Sequence, residues 1–215
     1  MLKIQKYVCN MFGENTYVVW DDTRECVIID CGAFYPEEHA ALENLIKSES
    51  LKPVHLLCTH GHLDHVMGNG FVSQTYGIKP EIHAGDEYLI TNLREQARSM
   101  VGMDYADYIP PVGKYLSETD VISFGSHTLE IIHTPGHTPG GIVFHCKEEK
   151  VAFTGDTLFN MSVGRTDFPG GSWMQLMDSL KRMKDRLAPE TALYSGHGNQ
   201  TTMEYEMKWN PYLKN

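Results

Sequence analysis

The feature that most constrains this chain is the segment from residue 59 to residue 65, which holds four metal-capable side chains within six positions. The segment is Thr59-His60-Gly61-His62-Leu63-Asp64-His65. A buried imidazole needs partners for two ring nitrogens, and a buried carboxylate is costly unless it is paired or bound to a cation. Such a cluster is poor material for an ordinary core. Its spacing favours a metal site over a polar surface loop.

Composition and charge indicate a folded globular protein and disfavour two classes of partner. The chain has 215 residues, of which 41% are hydrophobic and 21% charged, values that are ordinary for globular domains. The net charge is -10, and no large cluster of lysine and arginine offsets it. Nucleic acid and anionic membrane surfaces are therefore not expected as partners.

The amino terminus and the cysteines favour a reducing, cytoplasmic location. Residues 1–6 lack a basic region followed by an apolar stretch, and no apolar window approaches the length of a membrane span. The five cysteines are scattered and include no C-x-x-C pair. This usage is typical of buried free thiols.

The apolar pattern predicts strands followed by helices in each half of the chain. Strands are predicted at 2–8, 15–20, 26–30, 54–58, 81–83, 121–124, 129–133, 142–146, 151–153 and 192–194. Helices are predicted at 36–49, 66–76, 86–100, 172–188 and 201–209, the third capped by Asp86 and the fourth opened by Ser172. Residues 101–118 lose the pattern and are predicted to form a long loop. We expect two sheets packed face to face with helices outside, in a single domain over residues 1–215.

Three further segments place a metal-capable side chain directly after a glycine, within a few residues of a predicted strand. Glycine allows the backbone to turn sharply and to approach another group closely. If the strand ends meet at one edge, seven ligands converge: His60, His62, Asp64, His65, His137, Asp156 and His197. Because one tetrahedral zinc takes four ligands, this set implies two adjacent metals. Its nitrogen and carboxylate donors suit zinc, iron or manganese.

With this ligand set the chain resembles the metallo-β-lactamase superfamily, whose H-x-H-x-D-H motif is intact at residues 60–65. The resemblance covers essentially the whole chain and implies a four-layer αββα sandwich of the α/β (α+β) class. It also implies a ligand set for each of two metals: His60, His62 and His137 for the first, Asp64, His65 and His197 for the second, with Asp156 as the bridge. In antibiotic-hydrolysing zinc β-lactamases a cysteine usually replaces Asp156, so we expect this chain to lie outside that subgroup.

Within the superfamily, residues 159–171, the segment Ser195-Gly196-His197-Gly198 and the tail 206–213 look most like short glyoxalase II-like hydrolases. This likeness implies that a hydroxide shared by two metals, most simply zinc, attacks a small acyl thioester such as S-lactoylglutathione. Asp64 and Asp156 would orient the hydroxide as catalytic residues. Full-length glyoxalase II has a further C-terminal domain that carries much of its glutathione-binding surface. The expected domain lacks it, which leaves glutathione recognition open.

Two other activities in the superfamily stay open. Iron-dependent persulfide dioxygenases share a similar Gly-Arg-Thr-Asp-Phe run and hold one iron through the equivalents of His60, His137 and Asp156. The Pro-Gly-Gly continuation at 169–171 favours the hydrolase. Lactonases for N-acyl-homoserine lactones have a tyrosine where this chain has Phe159, so a lactone or other small-ester hydrolase is a weaker alternative.

Four residues outside the ligand set are candidates for supporting roles. Arg165 is placed either to contact the substrate or to pair with Asp167, and Phe159 is a second candidate for substrate contact. Asp30, at a strand end, and His133, on the strand before the third ligand segment, are candidates to hydrogen-bond a ligand histidine.

Overall fold

The computed structural model describes residues 1–214, and its strands and helices follow the predicted order. The strands are β1 (Lys3–Cys9), β2 (Glu14–Trp20), β3 (Glu25–Ile29), β4 (Lys52–Leu57), β5 (Pro80–His83), β6 (Lys114–Leu116), β7 (Val121–Phe124), β8 (His127–His133), β9 (Ile142–Cys146), β10 (Val151–Gly155), β11 (Leu158–Phe159), β12 (Ser162–Val163), β13 (Ala192–Ser195) and β14 (Thr201–Thr202). The helices are α1 (Pro36–Ser48), α2 (Leu63–Val66), α3 (Asn69–Tyr76), α4 (Glu87–Thr91), α5 (Leu93–Val101), α6 (Trp173–Arg186) and α7 (Met203–Trp209), with a short 3-10 turn at Ala84–Asp86.

These strands form two six-stranded mixed sheets. The first has the order β1-β2-β3-β4-β5-β6 and the second the order β14-β13-β10-β9-β8-β7, while β11 and β12 make a separate small hairpin. In the first sheet β3, β4, β5 and β6 pair in parallel, and in the second sheet β10 and β13 pair in parallel. Parallel neighbours end at the same edge of a sheet, so the loops that follow them start close together.

The second strand shows how the sequence builds the layers. Successive side chains of a strand point to opposite faces of the sheet. Tyr17 and Val19 pack in the core between the two sheets, where they join residues such as Phe153. Val18 and Trp20 pack on the other face, under α1 and α3. Because both faces of β2 are covered, every residue of this strand is buried.

The second sheet is covered in the same way on its outer face. Leu180 and Met183 of α6 and Met203 of α7 pack on Val143 and Leu193 of the sheet. Helix α6 begins where the sequence predicts, because the Ser172 hydroxyl accepts a hydrogen bond from the backbone N–H of Gln175 at 3.4 Å. The predicted four-layer αββα sandwich is confirmed.

Four predicted elements differ from the structure. The helix predicted over 66–76 begins at Asn69, after the separate helix α2, and the first two residues of the helix predicted over 201–209 form β14. The helix predicted over 86–100 is broken into α4 and α5 at Asn92, whose side-chain amide donates to the Tyr88 carbonyl at 2.7 Å and competes with the helical pattern. The loop predicted over 101–118 contains a strand, because Lys114–Leu116 pairs in parallel with β5. Three residues are too few for periodicity to reveal a strand whose pairing depends on its neighbour.

The five cysteines all lie within the described residues, where they are buried and free, as predicted. Burial raises the pKa of the Cys26 thiol to about 12, which leaves it protonated and unreactive. Within residues 1–214, no helix combines the length and apolar character needed to cross a membrane.

A histidine between two carboxylates connects the two sheets. Asp21 follows β2 and accepts a hydrogen bond from His127 Nδ1 at 2.8 Å, while Glu149, between β9 and β10, contacts His127 Nε2 at 3.0 Å. Burial alone would lower the pKa of His127, but the hydrogen bonds with Glu149 and Asp21 outweigh it and raise the pKa above its ordinary value. The two carboxylates therefore favour the charged imidazolium, in which both ring nitrogens can donate.

Replacing His127 with glutamine should lower the free energy of unfolding in a pH-dependent way. A histidine whose pKa is raised on folding contributes stability below its unfolded pKa of about 6.5, and this contribution is lost as the pH rises through the folded value. We expect H127Q to cost about 1.5 kcal/mol or more at pH 6 and clearly less at pH 9. Urea unfolding of both proteins at each pH measures the difference. An equal loss at pH 6 and pH 9 would show that the histidine charge is irrelevant.

Candidate metal centre

Four of the predicted ligands lie on the connection that follows β4. His60 and His62 belong to the loop, and His62 directly precedes α2, whose first turn carries Asp64 and His65. None of these four residues is more than 8% exposed. Because α2 is a single short turn, Asp64 and His65 lie beside the two histidines of the loop.

The other three predicted ligands follow strands of the second sheet: His137 after β8, Asp156 after β10 and His197 after β13. Two backbone hydrogen bonds hold these loops against the first sheet. The Thr59 carbonyl accepts from Ile142 N–H at 2.9 Å, and the Gly196 carbonyl accepts from Asn15 N–H at 2.7 Å. Loops of both sheets therefore meet at one edge of the sandwich.

Two glycines allow this close approach. Gly155 has a φ of +47°, and a Cβ atom there would collide with the Thr59 side chain. A Cβ atom on Gly196 would collide with the Asp156 carboxylate and the His65 ring. At these positions glycine is required because another chain segment fills the space that a side chain would need.

Six of the seven predicted ligands form two groups. The ligand atoms of His60, His62 and His137 all lie within 4.8 Å of one another, and His62 Nδ1 is 2.8 Å from His137 Nε2. The ligand atoms of Asp64, His65 and His197 meet the same limit, with His197 Nε2 3.1 Å from Asp64 Oδ2. Each group has the size of one coordination sphere.

Asp156 lies between the two groups. Its Oδ1 is 3.3 Å from His65 Nε2, and its Oδ2 is 3.5 Å from His137 Nε2 and 3.7 Å from His197 Nε2. One carboxylate thus contacts members of both groups. This is the arrangement that a carboxylate shared by two adjacent cations requires.

Unpartnered polar atoms show that the residues fit metal ions. His60 Nε2, His65 Nε2 and Asp156 Oδ1 are buried among the described residues without a hydrogen bond, since the 3.3 Å contact between the last two lacks hydrogen-bond geometry. An unpaired buried donor or acceptor costs about 1–3 kcal/mol, and three in one cluster is a strong indication of a missing ligand bond. Imidazole and carboxylate donors are those that zinc and iron accept.

Outer contacts orient three of the rings. His65 Nδ1 lies 3.0 Å from Asp30 Oδ2, His137 Nδ1 donates to the Arg165 carbonyl at 2.7 Å, and His60 Nδ1 lies 3.1 Å from Thr59 Oγ1. A hydrogen bond at Nδ1 fixes the ring and directs Nε2 toward a metal. Asp30 is therefore next to a predicted ligand, and the main chain of Arg165, rather than its side chain, contacts another.

Burial and the carboxylates set the charge of the cluster. Burial lowers the pKa of His62 to about 3 and holds the pKa of His60 well below its ordinary value, so both rings are neutral and have a free lone pair. Burial also lowers the pKa of His65, but the carboxylates of Asp156 and Asp64 outweigh it and raise that pKa well above the ordinary value. The raised pKa of His65 reflects the negative charge that Asp156 and Asp64 place around its ring.

The guanidinium of Arg165 lies outside the cluster. Its Nε and Nη2 donate to the two carboxylate oxygens of Asp167, each at 2.6 Å, and it stacks 4.2 Å from the centroid of the Phe168 ring. The pairing alternative predicted from sequence is thus present. The Phe159 ring lies 6.1 Å from the ring of His197, at the border of the second group.

His133 lies farther from the centre. Its Nε2 is 3.1 Å from the Pro139 carbonyl, and its ring stacks on His83 at 4.3 Å. The ring contacts the loop that carries His137 and not the imidazole itself.

Asp86 holds the two loops of the first group together, a role that sequence reasoning missed. The carboxylate, predicted to cap a helix, makes no capping hydrogen bond. It accepts instead from Gly61 N–H at 3.0 Å, Thr138 Oγ1 at 2.7 Å and Gly140 N–H at 2.6 Å. Burial raises the pKa of this fully buried carboxyl even though three donors point at it. The only sequence signal was an acidic residue at a helix start, which has a commoner explanation.

Gln96 was also missed. Its side-chain amide donates to the carbonyls of Gly61 at 3.1 Å and Leu89 at 2.7 Å, and its oxygen accepts from Leu63 N–H at 3.2 Å. This one side chain on α5 therefore fixes the main chain on both sides of His62.

The Asp86→Ala variant should be less stable and should bind metal more weakly. The substitution leaves two buried backbone N–H groups and a hydroxyl without an acceptor, which costs about 2 kcal/mol or more. It also loosens the loops that carry the ligands, and loss of such a supporting contact typically weakens metal binding by roughly tenfold or more. Urea unfolding and metal titration by competition with a chelator measure both effects. Asp22→Ala, which removes an exposed carboxylate, is the control. Unchanged metal affinity in D86A would contradict the positioning role.

Comparison with known proteins identifies the class. The family model described as the metallo-beta-lactamase superfamily matches residues 10–197. The chain belongs to this superfamily of metallo-hydrolases, and its histidine–aspartate cluster is a metal-binding site.

Three relatives are similar over nearly the whole chain. Hydroxyacylglutathione hydrolase GloC of Haemophilus influenzae is 38% identical, with 94% of this chain and 93% of that protein covered. The crystal structure of BLEG-1 B3 metallo-beta-lactamase has a TM-score of 0.90 at 31% identity, with coverage of 99% and 100%. That of TTHA1623 in a di-iron-bound form has a TM-score of 0.85 at 34% identity, with coverage of 97% and 100%. The di-iron neighbour and the two groups of donors indicate a dinuclear site.

Proposed function

We propose that this protein is a dinuclear metal-dependent hydrolase of small acyl thioesters, such as S-lactoylglutathione. The observation that carries the proposal is the position of Asp156, in contact with His65 and His197 on one side and His137 on the other. Similarity to a hydroxyacylglutathione hydrolase over 94% of the chain supports the thioester class.

The proposal assigns each group of donors to one ion. The first ion would be held by His60, His62 and His137, the second by Asp64, His65 and His197, and Asp156 would bridge them. Zinc is the metal we expect, while the di-iron form of TTHA1623 supports iron as a second candidate, and manganese accepts the same donors.

Bound divalent ions supply an activated water near neutral pH and polarise a carbonyl oxygen. The chain's own part is to place the reacting groups. The carboxylates of Asp64 and Asp156 would accept hydrogen bonds from the attacking oxygen and orient it toward the carbonyl carbon. Asp30 and the Arg165 carbonyl fix the rings of His65 and His137, so the geometry is set before substrate binds.

The proposal uses no general acid. A thiol has a pKa of about 8.5, so a thiolate leaves readily without protonation. An amide or a simple ester has a poorer leaving group and would gain from a proton donor. This difference favours thioesters among the substrates that such a centre can attack.

Metal content and three assays separate this proposal from its alternatives. Protein purified without added metal is analysed for bound elements, then tested for thiol release from S-lactoylglutathione, for oxygen uptake with glutathione persulfide, and for hydrolysis of a lactone and a β-lactam. We expect about two metal ions per chain and thiol release as the main activity.

One iron per chain with oxygen uptake and no thioester cleavage would instead establish a persulfide dioxygenase that uses His60, His137 and Asp156. The β-lactam assay tests the prediction that the chain lies outside the antibiotic-hydrolysing subgroup. This test is needed because the chain is similar to BLEG-1, which is described as a B3 metallo-beta-lactamase. Preferred lactone hydrolysis would support the small-ester alternative.

The Asp156→Ala variant tests the bridging assignment. Loss of the shared carboxylate should reduce kcat/KM by at least about a hundredfold, beyond what removal of an outer partner does, and should lower the bound metal below two ions per chain. Elemental analysis and thiol release measure the two effects. Asp167→Ala, which removes a nearby exposed carboxylate, should keep its metal. Full activity in D156A would refute the assignment.

The single domain over residues 1–215 and the cytoplasmic location also stay predictions. The proposed partner is a small-molecule substrate. The proposed reaction does not depend on an oligomeric state.

A further inference from the structure

A cavity of about 400 Å³ opens beside His62, on the side of the first group of donors. Its walls are mostly apolar and include Leu89, Met100, Phe168 and Pro169. Its volume falls within the range of small-molecule sites, which are concave and lined mainly by apolar side chains.

The cavity has two walls from different parts of the chain. Helices α4 and α5 form one wall, and the segment 168–169 forms the other. Tyr88 joins them, since its hydroxyl donates to the Pro169 carbonyl at 3.0 Å. The Phe168 ring meets the His62 ring edge-on with 5.4 Å between centroids, so the apolar surface reaches a predicted metal ligand.

The charge of the lining disfavours an anionic occupant. Among residues 1–214, the lining contains one acidic side chain, the exposed Glu95, and neither lysine nor arginine. The guanidinium of Arg165 lies over Phe168 but is already held by both oxygens of Asp167. A carboxylate in this cavity would face Glu95, and no lysine or arginine side chain of the described residues lines the cavity to pair with it.

A thioester has two halves, and only one of them suits this cavity. The thiol half of a glutathione thioester carries two carboxylates and an ammonium group, which would lose their hydration against apolar walls. The glutathione half must therefore extend away from the cavity, toward the solvent. The group that fills the cavity is then the acyl half, whose carbonyl carbon stays beside His62.

We infer that this cavity binds the acyl group, and that the substrates are thioesters of uncharged apolar acids, aliphatic or aromatic, in preference to short hydroxylated or anionic ones. The inference rests on the proposed thioesterase function and deepens it. Glu95 acts as the residue that rejects anionic acyl groups. Met100 and Phe168 provide the apolar contact.

The test is a series of acyl groups on one neutral thiol, N-acetylcysteamine. The metal-loaded protein is assayed with the lactoyl, butyryl, hexanoyl and glutaryl thioesters. Burial of a CH2 group contributes enough to raise kcat/KM by roughly fourfold, so the hexanoyl thioester should exceed the butyryl one by about tenfold or more. The glutaryl thioester should be the slowest. A rate that is flat or falls from lactoyl to hexanoyl would overturn the inference.

Two substitutions in the lining should change the preference between acyl groups. Met100→Glu should lower the ratio of kcat/KM for the hexanoyl thioester to that for the lactoyl thioester by about tenfold, since it places a charge on the apolar wall. Glu95→Lys should raise glutaryl turnover by about tenfold relative to hexanoyl. Met174→Glu, at a 78% exposed position on α6, is the matched control and should change neither ratio. A loss in M100E that is equal for all acyl groups would contradict the assignment.

Binding gives a readout that does not need turnover. Ketone analogues, in which CH2 replaces the thioester sulfur, are titrated by calorimetry against parent and M100E protein. Affinity should rise about fourfold per CH2 group, with a negative heat-capacity change that the variant reduces.

The two possible failures are distinguishable. If no thioester is cleaved, the proposed function fails, and the ketone series alone decides whether the cavity prefers apolar groups. If thioesters are cleaved without preference and the ketones bind equally, the proposed function stands and the inference about the cavity is wrong.

Discussion

The structure depends on satisfying a group of imidazoles and carboxylates that is buried at the edge where the two sheets meet. Neutral histidines and ionised aspartates are expensive in a core unless each nitrogen and oxygen finds a partner. In this protein the outer nitrogens find protein partners, among them Asp30 and the Arg165 carbonyl. Three inner atoms find none within the described residues. Surrounding protein groups therefore fix the orientation of the rings, so that the unpartnered inner atoms are positioned to bind cations in one geometry.

Two buried carboxylates outside the cluster provide that organisation. Asp30 accepts from the backbone and hydroxyl of Thr59, both at 2.6 Å, as well as contacting His65. Asp86 accepts from the main chain on both sides of the first group of donors. These carboxylates hold the loop that follows β4 and the loop that follows β8. Neither of the two loops can move without breaking several charge-assisted hydrogen bonds. Rigid loops on a packed sandwich are what preorganised chemistry requires.

The surroundings of the centre are asymmetric. On the side of His62 the walls are apolar and carry Glu95, whereas the side of His197 borders Phe159 and is more open, with a histidine side chain that is 29% exposed. A superfamily fold fixes the type of chemistry at its metal edge but not the substrate. In this chain the helices α4 and α5 and residues 168–169 line the cavity beside His62.

Local sequence patterns account for the layers and for the identities of the seven clustered residues. Alternating apolar residues specify strands, and glycine before each distant donor marks the sharp turns that bring His137, Asp156 and His197 to one edge. The groups that surround these residues are set by tertiary contacts instead. Asp86 and Gln96 have ordinary helix positions in sequence, and the contact at Arg165 comes from a main-chain carbonyl that every residue possesses. The break at Asn92 and the strand β6 depend likewise on local side-chain competition and on a neighbouring strand. Such contacts join residues distant in the chain, and no local pattern encodes them.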